Sequence, residues 1–111
     1  MLEIMKASAG SGKTYRLARK YILLLLKSKD RYAYRHILAV TFTNKATEEM
    51  KNRILKELHV LATEPRFSGY HDYFVPAFFP SDEEVSMKAK AVLGDLLHDY
   101  SAFAVSTIDR F

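Results

Sequence analysis

The sequence has no cysteine, only three prolines and four glycines, and no long apolar run. Without cysteine, disulfides and thiolate metal sites are excluded, and a reducing intracellular setting is allowed. The longest apolar run, residues 21–26, is far too short to span a bilayer, and no secretory signal pattern precedes it. We therefore expect a cytoplasmic protein that makes no membrane contact.

The residues that are present favour one ordered domain. The chain has 111 residues, of which 49% are apolar and 27% charged, without repeats or low-complexity tracts. The net charge of +4 is uneven, because residues 1–35 carry 9 lysines and arginines against 2 acidic residues. Such a local positive field attracts polyanions such as nucleotides or nucleic acid, although any one of these cations alone indicates only a solvated helix face.

Residues 7–14, Ala-Ser-Ala-Gly-Ser-Gly-Lys-Thr, match the phosphate-binding pattern G-x-x-x-x-G-K-[ST] at every position except the first. Two glycines let the backbone amides approach a pyrophosphate closely. Lys13 is placed to reach the β- and γ-phosphates, and the Thr14 hydroxyl is placed to coordinate Mg²⁺, so this pair is also the candidate catalytic pair. The candidate ATP-binding residues are Ala9, Gly10, Ser11, Gly12, Lys13, Thr14 and Tyr15. The alternative is a glycine-rich turn that caps a helix.

Hydrophobic periodicity predicts alternating strands and helices along the rest of the chain. The predicted elements are a strand at 2–6, a helix at about 12–28, a strand at 36–42, a helix to about 62, an irregular excursion at 64–80, a helix from 81 and a strand at 103–108. A strand, then a helix, then a strand indicates a parallel pair with a right-handed crossover. The excursion holds all three prolines and six aromatic residues, so we interpret it as an insertion that packs its own rings, with an interaction surface as the alternative.

Side chains near the helix ends predict how the last two helices begin. Thr43 or Asn44 can cap the second long helix, and Ser81 with Glu84 forms a capping box for the third. The predicted core positions of these two helices are Ala46, Met50, Ile54, Leu58 and Leu61, then Val85, Ala89, Val92, Leu93, Leu96, Leu97 and Tyr100.

Three segments together resemble motifs I, Ia and Ib of UvrD/Rep-like superfamily 1 DNA helicases. They are residues 7–14, residues 39–54, which contain Thr-Asn-Lys-Ala followed by Glu-Met and an arginine, and residues 105–111, Val-Ser-Thr-Ile-Asp-Arg-Phe. The sequence of the first segment resembles that of RecB/AddA-type helicase–nuclease subunits. The three motifs occur in the family's order, which is more specific than the phosphate loop alone.

The resemblance implies an α/β, three-layer RecA-like P-loop NTPase fold, a parallel sheet with helices on both faces, truncated before its Walker B strand. Residues 1–111 would be part of the first RecA-like domain of an ATP- and Mg-dependent motor on single-stranded DNA, acting in DNA repair or recombination. Its partners would be DNA, the remainder of the helicase chain and a second helicase–nuclease subunit. The DNA-binding residues implied by the motifs are Phe42, Thr43, Asn44 and Thr107.

The sequence also departs from the family pattern. The glutamine motif ahead of the loop is absent, Tyr15 stands where an arginine often stacks on the base, and Asp109 stands where motif Ib often has histidine. No apolar strand ends in Asp-Glu, so we expect a fragment that binds ATP but does not unwind DNA alone. Two alternatives remain: a compact P-loop kinase or ATPase that uses Asp109 as its Mg-side acid, and a noncatalytic interaction module whose working surface is residues 64–80.

Overall fold

The fold is given by a computed structural model. Its backbone is described for residues 3–7, 11–30, 32–35, 37–41, 43–103 and 105–107. Side chains are described for residues 14–30, 32–35, 43–101 and 103. In chain order the longer elements are β1 (Glu3–Ala7), α1 (Ser11–Lys27), β2 (Ile37–Thr41), α2 (Asn44–Thr63), α3 (His71–Phe74), α4 (Asp82–His98) and β3 (Val105–Thr107). Short 3₁₀ turns occupy Ala33–Arg35, Pro65–Phe67 and Tyr100–Ala102.

The three short strands pair in the order β1-β2-β3, and both pairings are parallel. Ala7 at the end of β1 lies opposite Thr41 of β2, and Thr41 lies opposite Thr107 of β3. The three strands therefore end side by side at one edge of the sheet.

The predicted fold class, a three-layer α/β fold with helices on both faces of a parallel sheet, is wrong for the described residues. Helices make up most of the described chain, and the strands contribute only short segments. α1 and α2 pack against each other, and α4 packs on both of them. Helices on opposite faces of a sheet could not touch, so α1 and α2 lie on the same face.

The strand order explains this arrangement. Two right-handed crossovers that advance in the same direction, from β1 to β2 and from β2 to β3, place both connecting helices on one face. α4 then covers α1 and α2 instead of the opposite face of the sheet. Helical periodicity predicts that α1 and α2 are amphipathic, but it does not specify the order of the strands to which they connect.

The core lies between the three long helices. Met50, Ile54, Leu58 and Leu61 follow one stripe of α2 and are fully buried, as their three- and four-residue spacing predicts. Each such side chain contributes about 1.5–3 kcal/mol when it is removed from water. Further large members of the same cluster include Tyr21, Ile22, Leu26, Tyr34, Val85 and Leu96, together with Tyr70 and Phe74 of the excursion.

The predicted start of α4 is confirmed, but part of its predicted core is wrong. Ser81 is the N-cap, and its hydroxyl accepts a hydrogen bond from the Glu84 amide at 3.2 Å. Leu97 is 57% exposed and Tyr100 is 44% exposed, although both were expected to be buried. α4 ends at His98, so Tyr100 lies in the following turn and no longer shares the helix's apolar stripe.

The excursion at 64–80 packs against the helices. Tyr70 and Phe74 are fully buried and Phe79 is nearly so. Their rings meet edge to face, with centroid distances of 6.1 Å for Tyr70–Phe74 and 6.4 Å for Phe74–Phe79. Among the described residues, no helix has both the length and the apolar content needed to cross a bilayer.

Candidate functional site

The candidate site lies at the edge where the three strands end. Neighbouring strands are spaced about 4.8 Å apart, so the ends of β1 and β3 are separated by only about 10 Å. Each strand end leads into one of the three segments singled out in the sequence. In parallel α/β sheets, ligands bind outside the carboxyl ends of the strands. The register therefore brings to one edge the strands that lead into the predicted phosphate-binding and DNA-binding segments.

The predicted phosphate loop is flanked by a strand and a helix, as its proposed chemistry needs. β1 ends at Ala7 and α1 begins at Ser11. Ala9 and Gly10 lie outside the described residues, as do the side chains of Ser11, Gly12 and Lys13. The first turn of α1 contains no acidic residue, so no carboxylate there opposes the positive end of the helix dipole. This helix start is a suitable site for an anion.

Thr14 lies in the first turn of α1 and is only 4% exposed. Its hydroxyl is therefore held within the protein, next to the start of the helix, and does not project into solvent. This placement fits the predicted role on Mg²⁺. That role stays a prediction.

Tyr15 follows Thr14 directly, and its side chain contacts the excursion. The Tyr15 hydroxyl donates to the Gly69 carbonyl at 3.0 Å, and the Tyr70 hydroxyl donates to the Tyr15 carbonyl at 2.7 Å. The two tyrosine rings meet edge to face with a centroid distance of 4.7 Å. Burial raises the pKa of Tyr70 well above its ordinary value, so its hydroxyl remains a donor. Residue 15 is thus tied to a segment more than fifty residues away.

Arg53 of α2 is a member of this site that sequence reasoning did not assign. Its guanidinium carbon lies 5.2 Å from the centroid of the Tyr15 ring, within cation–π range. Its Nε is buried and has no hydrogen-bond partner among the described residues. Arg53 is the arginine of the segment 39–54, and its helical spacing from Met50 was the available signal that it faces inward.

Two more polar groups of the excursion complete the contact with α2. The Ser68 hydroxyl donates to Glu57 Oε1 at 2.7 Å, and the Tyr70 amide donates to Ser68 Oγ at 3.1 Å. Glu57 and Ser68 are both buried. A buried carboxylate requires such partners, because an unsatisfied charge is costly inside a protein.

The predicted DNA-binding residues divide between the described and undescribed parts of the chain. Thr43 is the N-cap of α2, and its hydroxyl accepts from the Ala46 amide at 3.0 Å, which confirms the predicted cap. Asn44 opens the helix, and both residues are exposed. Phe42 lies outside the described residues, whereas Thr107 is described by its backbone alone, next to Thr41 in the register.

No metal centre built from protein side chains is found in the described part of the chain, which holds no group of three or more histidine, cysteine, aspartate or glutamate residues suited to a metal ion. Asp109, the candidate acid of the kinase alternative, lies outside the described residues.

Comparison with known proteins gives one family model, described as UvrD/REP helicase N-terminal domain, which matches residues 3–111. The chain is 42% identical over 62 residues to the RecBCD enzyme subunit RecB of Haemophilus influenzae, covering 51% of this chain and 5% of RecB. It is 34% identical over 89 residues to a probable DNA helicase II homolog of Mycoplasma capricolum, covering 80% of this chain and 12% of that protein. It is 51% identical over 53 residues to the ATP-dependent DNA helicase PcrA of Staphylococcus aureus, covering 48% of this chain and 7% of PcrA. No solved structure matches the chain.

Proposed function

Because the chain belongs to the UvrD/REP helicase N-terminal domain family, we propose that it carries the ATP-binding and DNA-contacting part of an ATP-dependent DNA helicase. The observation that carries the proposal is the strand register, which brings the ends of β1, β2 and β3 side by side. The strands that lead into the three motif-like segments therefore end at one edge. The chain matches only 5–12% of the length of the relatives described above, so the activity of a whole helicase is part of this proposal.

In this proposal the first turn of α1 binds the phosphates of Mg·ATP. The loop amides and the helix end hold the anion, Lys13 neutralises its terminal phosphates, and Thr14 offers a hydroxyl to Mg²⁺. The residues fit the group, since α1 begins four residues after the end of β1, has no acidic residue in its first turn and carries a buried threonine there. Bound Mg·ATP would supply the free energy of phosphoryl transfer.

Single-stranded DNA would lie along the neighbouring strand ends. Phe42 would stack on a base, Thr43 and Asn44 would bond the backbone at the start of α2, and Thr107 would bind a phosphate from β3. Exposed cations of α1 add a positive field beside this edge, among them Arg16 and Lys20. The helicase would act in DNA repair or recombination in the cytoplasm.

A second protein subunit is part of the proposal as well. The RecB relative is named a subunit of the RecBCD enzyme, and this chain shares 42% identity with it over 62 residues. We therefore propose that the helicase that contains this chain joins a second helicase–nuclease subunit.

The proposal is tested by isothermal titration of the chain with Mg·ATP, with and without a short single-stranded DNA. We expect saturable binding that is lost in Lys13→Ala and altered by DNA. Lys90→Ala is the matched control, because it removes an exposed lysine from a different helix, α4. Binding that is unchanged in Lys13→Ala would refute the proposal. Binding that DNA leaves unaltered would favour the compact kinase instead.

A further inference from the structure

The start of α1 and the middle of α2 are joined by a bridge of three residues from the excursion, residues 68–70. On one side, residues 69 and 70 make two hydrogen bonds with Tyr15, one to its hydroxyl and one to its main chain. On the other side, Ser68 donates to Glu57 of α2. We call these residues the 68–70 bridge.

The bridge lies where small displacements matter for ligand binding. Tyr15 directly follows Thr14, and the amides at the start of α1 have no partners within the helix. A first helical turn held only by its own hydrogen bonds frays easily. The Tyr70 bond to the Tyr15 carbonyl and the ring contact hold the residue that directly follows this turn. Groups that bind phosphate must be held closely, because a misplacement of about 1 Å is costly.

Gly69 adds a steric argument that is independent of the hydrogen bonds. A Cβ at this position would lie 2.8 Å from the Tyr15 hydroxyl oxygen, too close for any ordinary contact. A larger residue here would therefore displace the end of the Tyr15 side chain from the Gly69 carbonyl. Gly94, in α4, has nothing within 4 Å of the same hypothetical Cβ.

We propose that the 68–70 bridge positions the first turn of α1 for nucleotide binding, with Tyr15, Gly69 and Tyr70 as positioning residues. The inference rests on the proposed function, since it assigns a task to the excursion at the same nucleotide site. The excursion thus acts on ATP affinity without touching the nucleotide, by holding the turn that carries Lys13 and Thr14.

The test compares Mg·ATP affinity in matched pairs of variants at a temperature where circular dichroism shows every variant to be folded. Tyr70→Phe removes the hydroxyl that donates to the Tyr15 carbonyl. Tyr73→Phe removes a hydroxyl of the same segment that makes no hydrogen bond to the described residues of α1, and it keeps the ring that packs on Arg19. Gly69→Ala displaces the Tyr15 hydroxyl, and Gly94→Ala adds the same methyl group in open space. We expect both Tyr70→Phe and Gly69→Ala to weaken affinity, by up to about fivefold for Tyr70→Phe, the factor that corresponds to the whole free energy of one hydrogen bond. Both controls should bind as the unmodified chain does.

A spectroscopic measurement distinguishes positioning from support of the fold alone. With fluorotyrosine incorporated and assigned through the phenylalanine variants, the fluorine resonances of Tyr15 and Tyr70 should shift when Mg·ATP is added. The shift should be absent in Lys13→Ala. A residue that only supports the fold would lower the melting temperature and leave both the affinity of the folded chain and these resonances unchanged.

The outcomes separate the two proposals. If the unmodified chain binds Mg·ATP and Lys13→Ala does not, the proposed function stands, and the bridge variants then decide the further inference alone. Unchanged affinity in both Tyr70→Phe and Gly69→Ala would overturn the bridge. No binding by the unmodified chain would overturn the proposed function and the bridge with it.

Discussion

Replacing Ser68 by alanine should destabilise the chain far more than a typical loop substitution. The Ser68 hydroxyl donates to Glu57 at 2.7 Å and accepts from the Tyr70 amide at 3.1 Å. A hydrogen bond to a charged acceptor contributes about 1.5–3 kcal/mol and a neutral one about 0.5–1.5 kcal/mol. Since Glu57 is buried, its carboxylate cannot exchange the lost partner for water without cost. We expect Ser68→Ala to lower the free energy of unfolding by about 2–4 kcal/mol.

The free energy of unfolding is measured by urea denaturation followed by circular dichroism, with thermal melting as a second measurement. For a chain of this size, the expected loss lowers the melting temperature by roughly 8–16 °C. Ser101→Ala is the control, because Ser101 is exposed and the same change there should alter stability by no more than about 0.5 kcal/mol. Glu57→Gln keeps an oxygen that can accept from Ser68, so it should cost less than Ser68→Ala. If Ser68→Ala melts like Ser101→Ala, the excursion is not held to α2 through this pair.

Three further predictions concern a histidine, a glycine and a helix cap. Asp82 and Asp72 accept hydrogen bonds from His71 and raise its pKa, so this contribution to stability is complete below about pH 6.5 and is lost as pH rises through the raised pKa. Urea denaturation should therefore give a lower free energy of unfolding at pH 8.5 than at pH 5.5 in the unmodified chain, but not in His71→Gln. An equal dependence on pH in the two proteins would contradict this prediction. Gly94→Ala should stabilise the exposed interior of α4 by about 0.5–1 kcal/mol, and a lower melting temperature would contradict it. Thr43→Ala should cost about 1 kcal/mol by removing the cap of α2, while Thr43→Ser should keep it; equal melting of the two variants would exclude this cap.

The elements that depend on local patterns could be predicted from the sequence. The apolar stripe of α2 is buried at Met50, Ile54, Leu58 and Leu61, because a helix places residues at these spacings on one face. The N-caps of α2 and α4 follow from side chains that reach an amide only a few residues ahead. In each of these instances the neighbouring residues that interact or share a face are only three or four positions apart in the sequence.

The features that depend on distant pairs could not be predicted. The prediction that helices cover both faces of the sheet failed because strand order is set by which strands pair, and no short-range pattern records this. The contact of Tyr15 with Gly69 joins residues 54 positions apart. In the sequence, Tyr15 is a departure from the family pattern, and Gly69 is one residue of the predicted irregular excursion. Only the folded chain shows that a side chain at position 69 would displace the Tyr15 hydroxyl.

The arrangement of α2 connects these observations to the proposed function. The helix begins beside the end of β2, where the exposed Thr43 is its N-cap. Further along the helix, Arg53 lies beside the Tyr15 ring and Glu57 accepts a hydrogen bond from Ser68. From Thr43 to Arg53 is about 15 Å along a continuous helix, which moves as one body because each turn is bonded to the next. A DNA strand that displaced the start of α2 would therefore move the groups that hold the first turn of α1.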